Sequence, residues 1–173
     1  LEPLTFPRIG DLIEYATKKG FNMEMKTNGF SLTPEFIEKQ EGILELKVLR
    51  ISLYGADEES TKQVTKNPKG FQRVRNNIIN FLKLKTKIKL GLNYVVLHNN
   101  LDVVLKLLDY IEFVNSESNN QIDFLTLRED FSAEAEILST NERKKLLGIF
   151  KEIDERLKRK NLESYKKNKN LKR

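Results

Sequence analysis

The chain has 173 residues, no cysteine, 39% hydrophobic and 32% charged residues, and a net charge of +6. That is enough for one domain with its own core. It leaves no disulfide or thiolate metal site within the chain and offers no apolar run near the roughly 18 residues a membrane span needs.

The positive charge is not spread evenly. Residues 158–173 hold Lys158, Arg159, Lys160, Lys166, Lys167, Lys169, Lys172 and Arg173 against Glu163 alone, so residues 1–157 are close to neutral. This reads as a frayed basic tail, 158–173, behind a folded unit, 1–157, with nucleic acid unfavoured as a partner. Leu1-Glu2-Pro3 carries neither a start methionine nor the basic region of a signal peptide. The expectation is a piece of a longer, cytoplasmic protein.

In chain order, Pro7 opens a helix at Arg8, with Ile9, Leu12, Ile13 and Ala16 on one face and Gly20 as its stop. Residues 21–26 alternate with period two and read as a strand, ending in the turn signal Thr27-Asn28-Gly29. Thr33 and Pro34 start a short helix that Gly42 closes. A second strand covers 46–53 and runs into a polar loop. Phe71, Val74, Ile78, Ile79 and Leu82 form the next helical stripe. A third strand is predicted over 88–97, with His98-Asn99-Asn100 as its turn. Leu101, Val104, Leu105, Leu108 and Ile111 mark another helix. Asn115 to Gln121 reads as polar loop, and 122–128 as the fourth strand. Ser139 or Thr140 caps a last helix with Leu146, Leu147, Phe150, Ile153 and Leu157 on its apolar face.

Strict alternation of helices with continuous apolar strands predicts an α/β fold: a parallel sheet with outer helices and right-handed crossovers. A doubly wound sheet and a partial (β/α) barrel both fit, because about four strands cannot close a barrel.

Several chemistries find no support. His98 is the only histidine, and there is no G-x-S-x-G elbow, Walker loop or G-x-G-x-x-G. Glu129 and Asp130 are neighbours on a strand end, so their side chains point apart.

One ordered set of segments does carry a resemblance. Glu2-Pro3-Leu4, an amphipathic helix, Thr27-Asn28-Gly29, and then Ile51-Ser52-Leu53-Tyr54-Gly55-Ala56-Asp57-Glu58-Glu59-Ser60 follow one another. Val64-Thr65-Lys66, Gly70 to Val74, and Leu92 to Asp102 continue the series. The order resembles radical S-adenosylmethionine (SAM) enzymes over roughly residues 1–130.

The resemblance implies a partial (β/α)6 TIM-like barrel, of which this chain would hold about four strands. It implies a 4Fe–4S cluster held by a C-x-x-x-C-x-x-C loop, and SAM cleaved reductively to a 5′-deoxyadenosyl radical that takes hydrogen from a substrate. No cluster ligand lies in this chain, so the isolated chain is expected to be inactive and the substrate is unread.

By the same resemblance, the backbone around Glu2 and Pro3 would face the methionine amino group of SAM. Ser52 would hydrogen-bond its ribose or carboxylate end, with Asn28 at the neighbouring strand end. Asn93 and Val96 would flank the adenine. Thr65 stands where many members carry an arginine for the SAM carboxylate, which makes Lys62, Lys66 and Arg128 the candidates to replace it. Arg128 is in any case a candidate anion contact. Each has a structural alternative: Asn28 in a left-handed turn, Val96 in the core, Arg128 paired with Glu129 or Asp130. The competing reading of the whole chain is a non-catalytic α/β binding or scaffold domain with a basic tail. Strand 21–26 is expected to be an exposed edge, prone to self-association.

Overall fold

The computed structural model describes residues 2–96, 101, 103–129 and 138–159. A 3-10 turn, Pro3–Thr5, precedes helix α1, Ile9–Lys18. Strand β1 is Glu24–Thr27, α2 is Pro34–Lys39, and a second 3-10 turn spans Glu41–Glu45. Then come β2, Val48–Leu53; α3, Glu58–Thr65; α4, Gly70–Lys83; β3, Lys89–Val96; α5, Val103–Ser118; β4, Phe124–Glu129; and α6, Thr140–Arg159.

The four strands form one sheet in the order β1-β2-β3-β4, and every pairing is parallel. This is the expected α/β architecture. Monotonic order with right-handed crossovers puts every connecting helix on one face of the sheet. The burial pattern agrees. Met25, Leu49, Ile51, Leu53, Leu90, Leu92, Tyr94, Val96 and Leu125 are all buried on one face. On the other, Lys26 and Arg128 are exposed and Arg50, Ser52, Val95, Phe124 and Thr126 are half-buried. We call these the covered and the open face.

Several expected boundaries move, each for a local reason. β1 starts three residues later than predicted, because the Phe21 N–H is spent on the Ala16 carbonyl at the end of α1 (3.1 Å). Phe21 itself is exposed. The polar segment after β2 is not all loop. It contains α3, begun by a capping box in which the Asp57 carboxylate accepts from the Ser60 N–H (2.8 Å). Of the Ser/Asn cluster predicted as loop, residues 115–118 form the last turn of α5, where the buried Ser118 hydroxyl bends back onto the Val114 carbonyl (2.8 Å), and 119–121 are non-helical as expected. Leu12 and Leu147, assigned to apolar faces, are exposed; α6 buries Leu146 and Ile153 as expected, and Ile149 with them.

Gly42 is not a helix stop. It lies inside the second 3-10 turn, and the start of α1 packs directly on it. Arg8 gives α1 no side-chain cap. The Gly10 N–H is satisfied from another segment, by the Gln40 Oε1 (2.9 Å), while Gln40 Nε2 donates to the Pro7 carbonyl (2.7 Å).

His98 to Asn100, Asp130 and residues 160–173, including most of the predicted tail, lie outside the described residues. Among the described residues no helix is long and apolar enough to cross a membrane.

Candidate functional site

Parallel strands put their carboxyl ends on one side, where α/β folds place ligands. The register shows what this sheet presents there. On the open face Ser52 pairs with Asn93, and Asn93 with Thr126. One step nearer the carboxyl end, Val95 pairs with Arg128. One step below the polar row, Lys26, Arg50, Gly91 and Phe124 are aligned.

Two rows thus differ in character. In the lower one, Arg50 pairs with Glu24 (3.3 Å) and lies over the Phe124 ring (4.8 Å to its centroid). That row is internally satisfied. The upper row is not. Among the described residues no hydrogen bond engages the side chain of Ser52, Asn93 or Thr126, although Asn93 is only 5% exposed. The amide atoms of Asn93 are not among the fully buried, unpartnered polar atoms of the described residues, so water or a ligand on the open face can meet them.

β1 is held against this row by Glu2. One carboxylate oxygen accepts from the Leu4 N–H (3.2 Å) and from the Thr27 hydroxyl; the other accepts from the Asn28 N–H (2.8 Å). Asn28 Oδ1 accepts in turn from the Phe30 N–H (2.9 Å), closing an Asx turn. The left-handed position in this turn is Gly29 (φ 72°), not Asn28. From α4, Asn77 Nδ2 donates to the Gly29 carbonyl (2.9 Å) and Arg73 Nε to that of Phe30 (2.9 Å).

Asn28 and Ser52 line a cavity of about 190 Å³ beyond the strand ends, with Tyr54, Phe71 and Tyr110 among its walls. Burial pushes the Tyr110 phenol well above its ordinary range, with Arg75 opposing, so the wall stays neutral. Thr126 and Arg128 do not line this cavity.

The predicted residues therefore separate. Ser52, Asn28 and Asn93 come together at the carboxyl end of the open face. Val96 does not join them: it is one residue out of phase, 1% exposed on the covered face, and packs in the core. Pro3 opens the first 3-10 turn, and Glu2 has its carboxylate committed to the chain. Thr65 is consumed by α3: its hydroxyl donates to the Thr61 carbonyl (2.8 Å) and accepts from the Asn67 N–H (3.2 Å). Lys66 donates to the Gln63 carbonyl (2.9 Å). Arg128 has no ion-pair partner among the described residues. Thr126 was missed, although alternation back from Arg128 puts it on the same face.

The α3 cap adds a titratable brace below the cavity. Burial raises the Asp57 carboxyl, but hydrogen bonds from Lys106 (2.7 Å) and Ser60 outweigh it and hold it at about 2. A carboxyl depressed by folding contributes stability above its unfolded pKa, near 3.9, and loses it as pH falls towards the folded value. Asp57→Ala is expected to lose about 1 kcal/mol at neutral pH, the ordinary worth of such a cap. It should also flatten the acid decline between about pH 4 and pH 2. Denaturant titrations of both proteins across that window measure it, and parallel acid limbs would assign the decline to other carboxyls.

No protein-family model matches the chain. Two curated relatives do. The dTDP-4-amino-4,6-dideoxy-D-glucose ammonia-lyase of Streptomyces venezuelae is 39% identical over 137 residues, 76% of this chain and 28% of the relative. The AdoMet-dependent heme synthase of Methanosarcina barkeri is 30% identical over 105 residues, 61% of this chain and 29% of the relative. The chain thus spans under a third of the length of either. Among solved structures, SuiB of Streptococcus suis superposes with a TM-score of 0.71 at 13% identity, over 96% of this chain and 37% of that one. That likeness concerns the fold.

Proposed function

The chain belongs to the radical SAM superfamily, and we propose that it forms the SAM-facing part of a radical SAM catalytic core. The observation that carries the reading is the polar row Ser52, Asn93 and Thr126, aligned by register at the carboxyl end of the open face and without a side-chain hydrogen bond among the described residues. Three hydrogen-bonding groups side by side at the ligand end of a parallel sheet favour a polar ligand.

The residues present fit SAM but not the cluster. Ser52 offers a hydroxyl and Asn28 an Nδ2 donor uncommitted among the described residues; Asn93 offers both a donor and an acceptor. Glu2 acts one step back, fixing the strand end from which Asn28 projects. When bound, SAM would supply, on one-electron reduction with release of methionine, a 5′-deoxyadenosyl radical for hydrogen abstraction from a substrate. A 4Fe–4S cluster finds no thiolate in this chain. The ammonia-lyase relative is named for a nucleotide-linked amino sugar; we carry over the radical class of reaction and not that substrate.

S-adenosylhomocysteine, which is not cleaved, tests the site. Titration calorimetry on the 173-residue chain is expected to show binding. Ser52→Ala should weaken it by about 0.5–1.5 kcal/mol, the worth of one hydrogen bond. Unchanged affinity would remove Ser52 from the site, and absence of binding would remove the reading.

A further inference from the structure

We infer that β4 carries a second subsite, distinct from the SAM-facing one, in which Arg128 and Thr126 bind an oxyanion of the organic substrate, a carboxylate or a phosphate ester. The inference rests on the open face being the ligand face and adds to it where the substrate sits and what charge it bears.

Distance separates the two groups. Neighbouring strands lie about 4.8 Å apart, so Ser52 on β2 and Thr126 on β4 are separated by about 10 Å across the intervening Asn93. Arg128 is two residues further along, about 6.6 Å nearer the carboxyl end, which puts it roughly 12 Å from Ser52. Ser52 and Arg128 therefore spring from backbone positions roughly 12 Å apart on this face, and competition with S-adenosylhomocysteine decides whether one ligand spans both. The cavity takes in Asn28 and Ser52 and not Asn93, Thr126 or Arg128.

Charge identifies the ligand. The open face bears a second arginine, Arg50, but that one is neutralised by Glu24 and covered by Phe124. Among the described residues Arg128 has neither device, the Glu129 side chain and Asp130 lying outside them. It stands at the carboxyl end of β4 with Thr126 beside it on the same face, and Thr126 is in register with Asn93. A planar fork of donors next to a hydroxyl is the arrangement that binds a carboxylate or phosphate in two-pronged fashion. Asn93, without a side-chain hydrogen bond among the described residues, stands between the subsites and can bond to a ligand in either.

The test is an NMR titration of the isotope-labelled 173-residue chain with three probes: inorganic phosphate, acetate and S-adenosylhomocysteine. One of the two anions is expected to shift the Thr126 to Arg128 amides and the Arg128 Nε–H saturably, and which one does so distinguishes phosphate from carboxylate. Arg128→Gln should weaken that binding at least tenfold and Thr126→Val several-fold. Arg8→Gln, at an exposed arginine paired with Asp11, should leave it unchanged. The anion should still bind with S-adenosylhomocysteine saturating. Equal binding to the Arg128→Gln chain, meaning an adventitious ion only, would overturn the subsite, as would no binding of either anion or displacement by S-adenosylhomocysteine. If S-adenosylhomocysteine shifts Ser52 and Asn28 while neither anion touches β4, the subsite fails and the SAM reading stands. The reverse pattern removes the SAM reading and leaves the anion subsite.

Discussion

Gly42→Ala is expected to destabilise the chain by about 3 kcal/mol or more, at or above the upper end of ordinary overpacking. A Cβ at this position would lie 2.0 Å from the Gly10 carbonyl oxygen and 2.6 Å from the Gly10 carbonyl carbon. Both are backbone atoms, so no rotamer change relieves the clash. One of the two segments has to move. If α1 moves, it breaks the Gln40 hydrogen bonds to Gly10 and Pro7, which supply the cap Arg8 does not. It also lifts the buried Ile9 and Ile13 away from the region of Ile43, which is 0% exposed. Gly148→Ala is the control: nothing lies within 4 Å of its Cβ, and in the middle of α6 the change should stabilise by about 0.5–1 kcal/mol through helix propensity. Denaturant unfolding of the three proteins decides it. A loss at Gly42 no larger than a few tenths of a kcal/mol would mean that the two segments do not touch as described.

The contrast between these glycines shows where the sequence was readable. Hydrophobic period alone located all four strands and their parallel order, because a strand buried against helices must alternate or run apolar whatever its neighbours are. Close approach is different. Nothing local distinguishes Gly42, pressed on Gly10, from Gly148, which touches nothing; the demand for a missing side chain comes from residues more than thirty positions away. α3 was hidden for another reason. Glu58–Thr65 has almost no apolar period, and it exists because Asp57 caps it and Lys106 braces the cap.

The site was half legible. Ser52 and Asn28 could be placed because they end strands. Asn93 and Val96 are an odd number of residues apart, so alternation alone separates them; saying which of them faces the ligand side needed the phase of β3, since a shift of one residue reverses every side chain. The observed register gives Asn93 to the open face and Val96 to the core. Thr126 was available from alternation with Arg128, but its meaning came from the row it completes across three strands. The resemblance spoke only for the backbone around Glu2. That its carboxylate is spent on Thr27 and Asn28 is a connection spanning more than twenty residues that no local pattern carries.

Gly91→Ala should disturb that row from beneath. The added Cβ would fall 2.0 Å from Cε2 and 2.1 Å from Cζ of the Phe124 ring, which lies across Gly91 on the open face. The obstacle here is a side chain, so the structure can yield, but the ring has to swing away and uncover Arg50, which stacks on it at 4.8 Å. The expected cost is about 1–3 kcal/mol for the overpacking, with about 0.5–1 kcal/mol more for the lost cation–π contact. Gly91 is two residues before Asn93 on the same face, so S-adenosylhomocysteine affinity should fall as well. Phe124→Leu provides the second arm, since a shorter side chain leaves room for the new methyl. The double variant should lose clearly less stability than the two single losses combined, with a coupling of at least about 0.5 kcal/mol. Strict additivity in denaturant unfolding would show that the ring does not rest on Gly91, and the aromatic floor beneath Ser52, Asn93 and Thr126 would have to be abandoned.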